Sequence, residues 1–290
     1  MKIIPLDRIK SIHHSGYRGW LGTNPNIEVV DHLEDADFIW HCAWGDGDNL
    51  RKDVEEADEY GAAVGTPVIH NVTGDHCYVP STGNENWYFN TTLNPDSPCR
   101  QVQVPYSYHD SLKWWVDSGR PSRVRPNLVC FRGSFNTNPK RGRLLDLAYR
   151  DIIIEQCDGW EAARKGEWGI IQKHNDLLLS SIFTFCPRGI GESSIRVAET
   201  IFRGSIPVLL DDDSAWFGDK MDFCIRGSLD GDLKALVWKL REISNNELEL
   251  SSRLSQMSLF RDSYLLIDNH RGCDSTVGYT EKIREIVNNL

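Results

Sequence analysis

The sequence predicts an α/β protein built on parallel sheets, and three observations predict it. Residues Ser181 to Leu210 read as strand, glycine turn, helix, glycine stop and strand, the pattern of a βαβ unit. Between Ile27 and Asn71, short apolar strand patterns alternate with a helical one, as a parallel sheet requires. The 290 residues, 40% hydrophobic and ten of them Trp, can fill two compact domains of roughly 130 residues each.

Taken in order, the amino-terminal half gives strands at Ile27 to Val30 and Asp37 to Trp40, a helix at Asn49 to Tyr60 and a strand at Pro67 to Asn71. Residues Pro80 to Pro98 are polar and punctuated by Pro, Gly, Asn and Thr around an aromatic Trp87-Tyr88-Phe89 centre, and read as a long functional loop. A cluster of Gly, Pro and basic residues at Asp117 to Pro126 marks the domain join. After it come a strand at Leu128 to Arg132, a helix around Arg143 to Arg150, a strand at Asp151 to Gln156 and a helix near Glu161 to Gly166.

The βαβ unit follows. Its first strand, Ile182 to Cys186, is closed by Pro187 and Gly189, and Ser193 or Ser194 can cap the helix by accepting a bond from an orphan N–H. Ile195, Ala198, Ile201 and Phe202 recur at helical spacing, while Arg196, Glu199 and Arg203 fall on a different face. Gly204 stands at the left-handed stop, and Ile206 to Leu210 returns as a buried strand. Helices at Leu229 to Ser244, Asn246 to Phe260 and Tyr279 to Leu290 complete the chain, which has no internal repeat.

Acidic residues outnumber basic ones by 42 to 32, a net charge of -10 that repels nucleic acid and anionic membrane. An anionic ligand must therefore meet a local basic site. No run of roughly 18 apolar residues and no apolar leader occurs, so neither membrane segment nor signal peptide is expected, and a cytoplasmic location is. Eight cysteines without paired or histidine-spaced patterns read as scattered free thiols rather than zinc ligands. The acidic triplets at Asp46 to Asp48, Asp211 to Asp213 and Asp230 to Asp232 lie where acidic turns and helix caps are ordinary, and no metal site is expected. His13, His14, His32, His41, His70, His109, His174 and His270 form no constellation and read as structural or surface residues.

The glycine turn is the chemical feature. A turn such as Gly189-Ile190-Gly191 directs unpaired N–H groups at one spot, which suits a phosphate, and Arg188 and Arg196 flank it. Glu199, one helical turn on, can accept both hydroxyls of a ribose.

At these residues the chain resembles the exostosin family of glycosyltransferases, family GT47. The resemblance rests on Ser181, Phe183, Phe185-Cys186-Pro187-Arg188-Gly189, Ser194-Ile195-Arg196-Val197-Ala198-Glu199-Thr200, Gly204-Ser205-Ile206-Pro207-Val208 and Asp211 to Asp213. Thr200 and Ser205 depart from the family's Ala and Cys, small residues for small ones. Fainter matches are Asp35 to Trp40, Asn71 to His76 and Asn127 to Gly133. The resemblance implies a GT-B architecture, two doubly wound Rossmann-like domains facing across a cleft, with residues 1–122 on the acceptor side, 123–275 binding the nucleotide-sugar and 276–290 a helix returning to the first domain. Its compactness resembles that of soluble exostosin-like enzymes encoded by large algal viruses.

The implied activity is inverting transfer of a sugar, xylose as first guess, from a UDP-sugar to a hydroxyl of a glycan acceptor, with no metal and no cofactor beyond the donor. Arg188, Gly189, Gly191, Ser194 and Arg196 would meet the diphosphate and Glu199 the ribose. The family places a phosphate-binding arginine near Arg132, Arg141 and Arg143, with Arg141 and Arg143 left unregistered against each other. Asp75, just past a strand end, would be the base, and His76 would hold either that base or a donor phosphate. The rivals are a GDP-fucose transferase, whose helix carries Thr-Glu-Lys where this chain has Ala198-Glu199-Thr200, and a glycan-binding module without activity, which would need no ribose contact.

Overall fold

In the computed structural model the chain divides into Met1–His109 with Asp274–Leu290, and Asp110–Cys273. The structure describes residues 1–6, 27–44, 47–73, 86–90, 96–103, 124–157, 165, 168–189, 194, 196–211 and 221–262.

The first unit is a parallel sheet of β1 (Lys2–Pro5), β2 (Glu28–Val29), β3 (Phe38–Trp44), β4 (Val68–Thr73), β5 (Trp87–Asn90) and β6 (Arg100–Gln103), in the order β2-β1-β3-β4-β5-β6. Helix α1 (Gly47–Val64) is the crossover from β3 to β4. It buries Leu50, Val54 and Ala57, spaced by four and three, so that one stripe faces the strands. The expected strands at Ile27 and Asp37 and the helix at Asn49 are present with shifted ends. The aromatic centre at Trp87 is a correction: it is the strand β5, paired in parallel with β4 and β6, and not part of a loop. Aromatic residues favour the pleated surface, and Tyr88 is fully buried there, a preference that outweighed the surrounding turn residues. Strands β1 and β6 were not expected either; each is only four residues long.

The second unit contains β7 (Asn127–Gly133), β8 (Ile152–Gln156), β9 (Ser181–Pro187), β10 (Ile206–Leu210) and β11 (Ile225–Gly227), all parallel, in the order β11-β10-β9-β7-β8. Its helices are α2 (Trp168–Leu179), α3 (Arg196–Phe202), α4 (Leu233–Asn245) and α5 (Glu247–Phe260). Strands β7, β9 and β10 are buried almost throughout, which explains their continuous apolar sequence. Asp232 caps α4 by accepting from Lys234 N and Ala235 N, and Asn246 caps α5 through Glu249 N.

Two helices differ from expectation. The one placed at Arg143 to Arg150 is a 3-10 helix over Pro139–Leu147, and its buried residues Arg141, Leu144 and Leu147 recur every three, the period of that helix. Helix α2 was not foreseen: Gly169, His174 and Asn175 are poor helix formers, and packing on β7 and β9 holds it. Of the helix expected near Glu161 only residue 165 is described, and the one at Tyr279 lies outside the described residues.

The strand order reverses at β7. The chain steps outward from β7 to β8, returns through α2 to β9, and continues in that direction through α3 to β10. Right-handed crossovers then set α2 and α3 on the same face of the sheet. The carboxyl ends of β7 and β9 form the switch point, where open α/β sheets bind ligands.

Candidate active site

The two strand ends at the switch point are Arg132-Gly133 and Pro187-Arg188. Arg141 ties them together from the 3-10 helix. Its Nε donates to the Arg188 carbonyl at 3.0 Å and Nη2 to the Pro187 carbonyl at 3.0 Å, while Nη1 donates to Ser134 O at 2.8 Å and Thr137 Oγ1 at 2.7 Å. These bonds direct the buried guanidinium at backbone carbonyls. Arg141 thereby holds the end of β9 and the segment that carries Arg188 and Gly189. Arg143 acts likewise one turn away, donating to the carbonyls of Leu229 and Gly231.

Arg132 is buried, with Nη1 donating to Ile170 O at 2.7 Å and Nε 3.1 Å from Glu155 Oε2, an oxygen that Lys173 also approaches at 3.0 Å. It joins the end of β7 to α2. Arg188 is half-exposed, and among the described residues its guanidinium makes no hydrogen bond or ion pair. Ser194 is buried, and its backbone carbonyl accepts from Val197 N at 3.0 Å at the start of α3.

Arg196 reaches back across the switch point. Its Nη1 donates to the Arg132 carbonyl, and its guanidinium lies 5.1 Å from the centre of the Phe131 ring. Nε is buried without a hydrogen-bond partner among the described residues. Gly133 makes this approach possible, since a Cβ there would stand 2.8 Å from Arg196 Nη2 and 3.2 Å from the Phe131 ring.

Glu199, one turn along α3, is 9% exposed. Its Oε2 accepts from His174 Nε2 on α2 at 3.2 Å. Burial acts to raise the carboxyl's pKa, but the His174 hydrogen bond and the charges of Arg196 and Arg203 outweigh it and hold the group below the ordinary carboxylate range. Burial pushes the His174 imidazole below its ordinary value despite Glu199. A neutral His174 thus donates Nε2–H to an anionic Glu199. His174 was read from the sequence as structural or surface; it lies 25 residues from its partner in a helix whose pattern was not legible.

The helix stop is as expected, with Gly204 at φ 68° and its N–H bonded to Ile201 O. Both departures from the family pattern are accommodated. Ser205 Oγ lies 2.8 Å from Thr184 Oγ1, and Thr200 Oγ1 lies 3.6 Å from Cys186 Sγ.

The acidic triplets have local duties where they are described. Asp211, at φ 52°, accepts from Leu229 N at 3.0 Å; Asp230 pairs with Lys140 and Arg143; Asp232 is the α4 cap. Cys99, Cys130, Cys157, Cys186 and Cys224 are free thiols. Among the described residues no helix is long and apolar enough to cross a membrane. Strand β4 ends at Thr73, and the sequence-derived residues Asp75, His76 and Gly191 lie outside the described residues.

The first unit holds a second polar cluster that the sequence did not disclose. His70 Nε2 lies 2.6 Å from Asp58 Oδ1, which also accepts from Asn86 Nδ2, while Asp58 Oδ2 accepts from Tyr88 Oη at 2.8 Å. His70 Nδ1 faces His41 Nδ1 at 2.9 Å, and His41 Nε2 stands 3.3 Å from Asp53 Oδ2.

The profile described as the Exostosin GT47 domain matches residues 85–246, more than half of the chain. Human ribitol-5-phosphate xylosyltransferase 1 is 32% identical over 93 residues, covering 30% of this chain and 20% of that protein. Among solved structures, an α1,3-fucosyltransferase aligns over 99% of this chain and 89% of its own at 11% identity and a TM-score of 0.48. Anabaena HepE, solved with UDP and glucose, covers 100% and 99% at 9% identity and a TM-score of 0.46.

Proposed function

Because the chain belongs to the exostosin GT47 family of glycosyltransferases, we propose that it moves a sugar from a UDP-sugar to a hydroxyl of a glycan acceptor with inversion and without a metal ion. The observation that carries this reading is the pairing at the switch point of an anionic, mostly buried Glu199 with an Arg196 whose Nε is unpartnered among the described residues. Glu199 accepts the ribose hydroxyls. Arg188, Arg196, Ser194 and the turn from Gly189 to Gly191 meet the diphosphate, with Arg132, Arg141 and Arg143 contributing through the strand ends and turns they hold.

In the reaction the acceptor oxygen attacks the anomeric carbon as the bond to the β-phosphate oxygen breaks. The hydroxyl proton passes to the Asp75 carboxylate, His76 holds either that base or a donor phosphate, and the charge of departing UDP spreads over phosphate oxygens met by the two arginines. Each charged hydrogen bond to that phosphate contributes about 1.5 to 3 kcal/mol, so two arginines and the turn suffice without a cation. The duties of Asp211, Asp230 and Asp232 in turns and a cap support that reading. Xylose is the first donor to try, in keeping with the name of the human relative.

Calorimetric titration with UDP, GDP and a panel of UDP-sugars, with and without EDTA, tests it. Micromolar UDP binding that survives EDTA is the expected result. Binding of GDP alone would move the reading to a fucosyl-type donor, and binding of no nucleotide would leave a glycan-binding module.

A further inference from the structure

We infer that His174 is a positioning residue for the donor site: its Nε2–H anchors one oxygen of Glu199 so that the other is presented to the ribose. The inference rests on the uridine-nucleotide reading above and adds a residue to it. The two side chains come from separate helices, α2 and α3, which the crossovers set side by side on one face of the sheet. Their side chains are 13% and 12% exposed, so the pair is shielded yet Glu199 is not sealed.

A glutamate has three rotatable bonds, and a carboxylate in a mostly buried place needs a donor or bears a desolvation cost. His174 answers both needs at once. It is the hydrogen-bond donor to Glu199 among the described residues, and the bond at 3.2 Å engages Oε2 alone. Arg196 and Arg203 act on Glu199 through charge, which favours the anion without fixing the plane of its carboxyl group. Orientation therefore falls to the imidazole. The neutral state of His174, which burial favours, keeps this contact a directed hydrogen bond.

A residue that only filled space between α2 and α3 would affect stability and leave nucleotide selectivity alone. The test is therefore a ratio of affinities. The full chain and its His174→Leu, His174→Gln, His174→Asn and Glu199→Gln variants are titrated with UDP and with 2′-deoxy-UDP, after circular dichroism has confirmed folding. The parent protein is expected to prefer UDP by about tenfold, the worth of one hydrogen bond to a charged group. His174→Leu should bring the ratio down to that of Glu199→Gln, near one. His174→Gln, whose amide can reach Glu199, should keep most of the preference that the shorter His174→Asn loses. This second pair decides the matter if His174→Leu does not fold.

A parental ratio retained in His174→Leu, or equal ratios for the Gln and Asn variants, would overturn the positioning role while leaving the donor site standing. A parent protein that binds no uridine nucleotide, or binds both equally, would overturn the donor reading and this inference with it.

Discussion

In the first unit His70 meets Asp58 between β4 and α1; in the second, His174 meets Glu199 between α2 and α3. Both carboxylates are mostly buried, at 17% and 12% side-chain exposure, and both are held below the ordinary carboxylate range against burial, which acts to raise them. What differs is how the hydrogen-bonding capacity is used. Asp58 accepts from His70, Asn86 and Tyr88, and the Tyr88 ring stacks on His70 with centroids 4.8 Å apart. Among the described residues Glu199 has a single donor, with two arginines acting through charge. A carboxylate enclosed by three donors holds a fold together; one with a single donor and cations nearby is kept ready for a ligand.

The largest expected effect comes from breaking the closed cluster. Asp58→Ala leaves the His70, Asn86 and Tyr88 donors facing an empty site and, at about 1 to 3 kcal/mol for each unpaired donor, should cost about 3 to 5 kcal/mol of stability. UDP affinity measured under conditions where the variant is folded should not change. Denaturant unfolding with a loss below about 1 kcal/mol would show that the cluster is not structural. Glu199→Gln should shift the balance the other way, weakening UDP about 10- to 100-fold with a smaller loss of stability than Asp58→Ala, because the charge is removed but the amide oxygen still accepts from His174. A large loss of stability with intact UDP binding would erase the contrast between the two pairs.

A smaller change probes how the open site is assembled. In Gly133→Ala the new methyl meets Arg196 Nη2 and the Phe131 ring, and the arginine, as the flexible partner, must yield. Its bond to the Arg132 carbonyl then lengthens. UDP affinity is expected to fall about three- to tenfold, less than one full charged hydrogen bond. An unchanged titration would mean that Arg196 reaches the diphosphate from either position.

The same contrast explains what could be read from the sequence. The two strands, the helix and the stop between Ser181 and Leu210 were legible, because they follow one another with apolar spacing and a glycine at the stop, and Gly204 adopts the conformation its position calls for. Arg196 and Glu199 were found for the same reason, lying three apart on one short helix. His174 was not, since its partner is distant in sequence and α2 depends on tertiary packing. The Asp58 cluster was hidden for a further reason. Its members come from β3, α1, β4, the residue before β5, and β5 itself, and that last strand carries turn residues on both sides. Arg141 looked from sequence like a phosphate ligand; only the placement of four backbone and hydroxyl acceptors around it shows that it holds the end of β9.

The mildest perturbation is pH, and it acts on both pairs in the same direction. Burial depresses the pKa of His70, with His41 adding to the effect and Asp58 and Asp53 opposing it. Burial likewise depresses His174, with Arg196 and Arg132 adding and Glu199 opposing. In the unfolded chain both titrate near the ordinary value of 6.5. Just below that pH the unfolded state binds more protons than the folded one, so stability falls as pH falls, at a slope of at most about 1.4 kcal/mol per pH unit for each histidine. The loss continues until the folded-state histidines themselves take up protons. Asp58 and Glu199 then extend it below their ordinary values of 3.8 and 4.5, where the unfolded carboxyls protonate first. Urea midpoints should therefore be flat above pH 7 and decline between pH 6.5 and 5.5. The decline should be shallower in His174→Gln, which removes one of the two protons. A midpoint that rises on acidification would mean that the folded protein stabilises the charged imidazoles, and the neutral His174 donor would have to be abandoned.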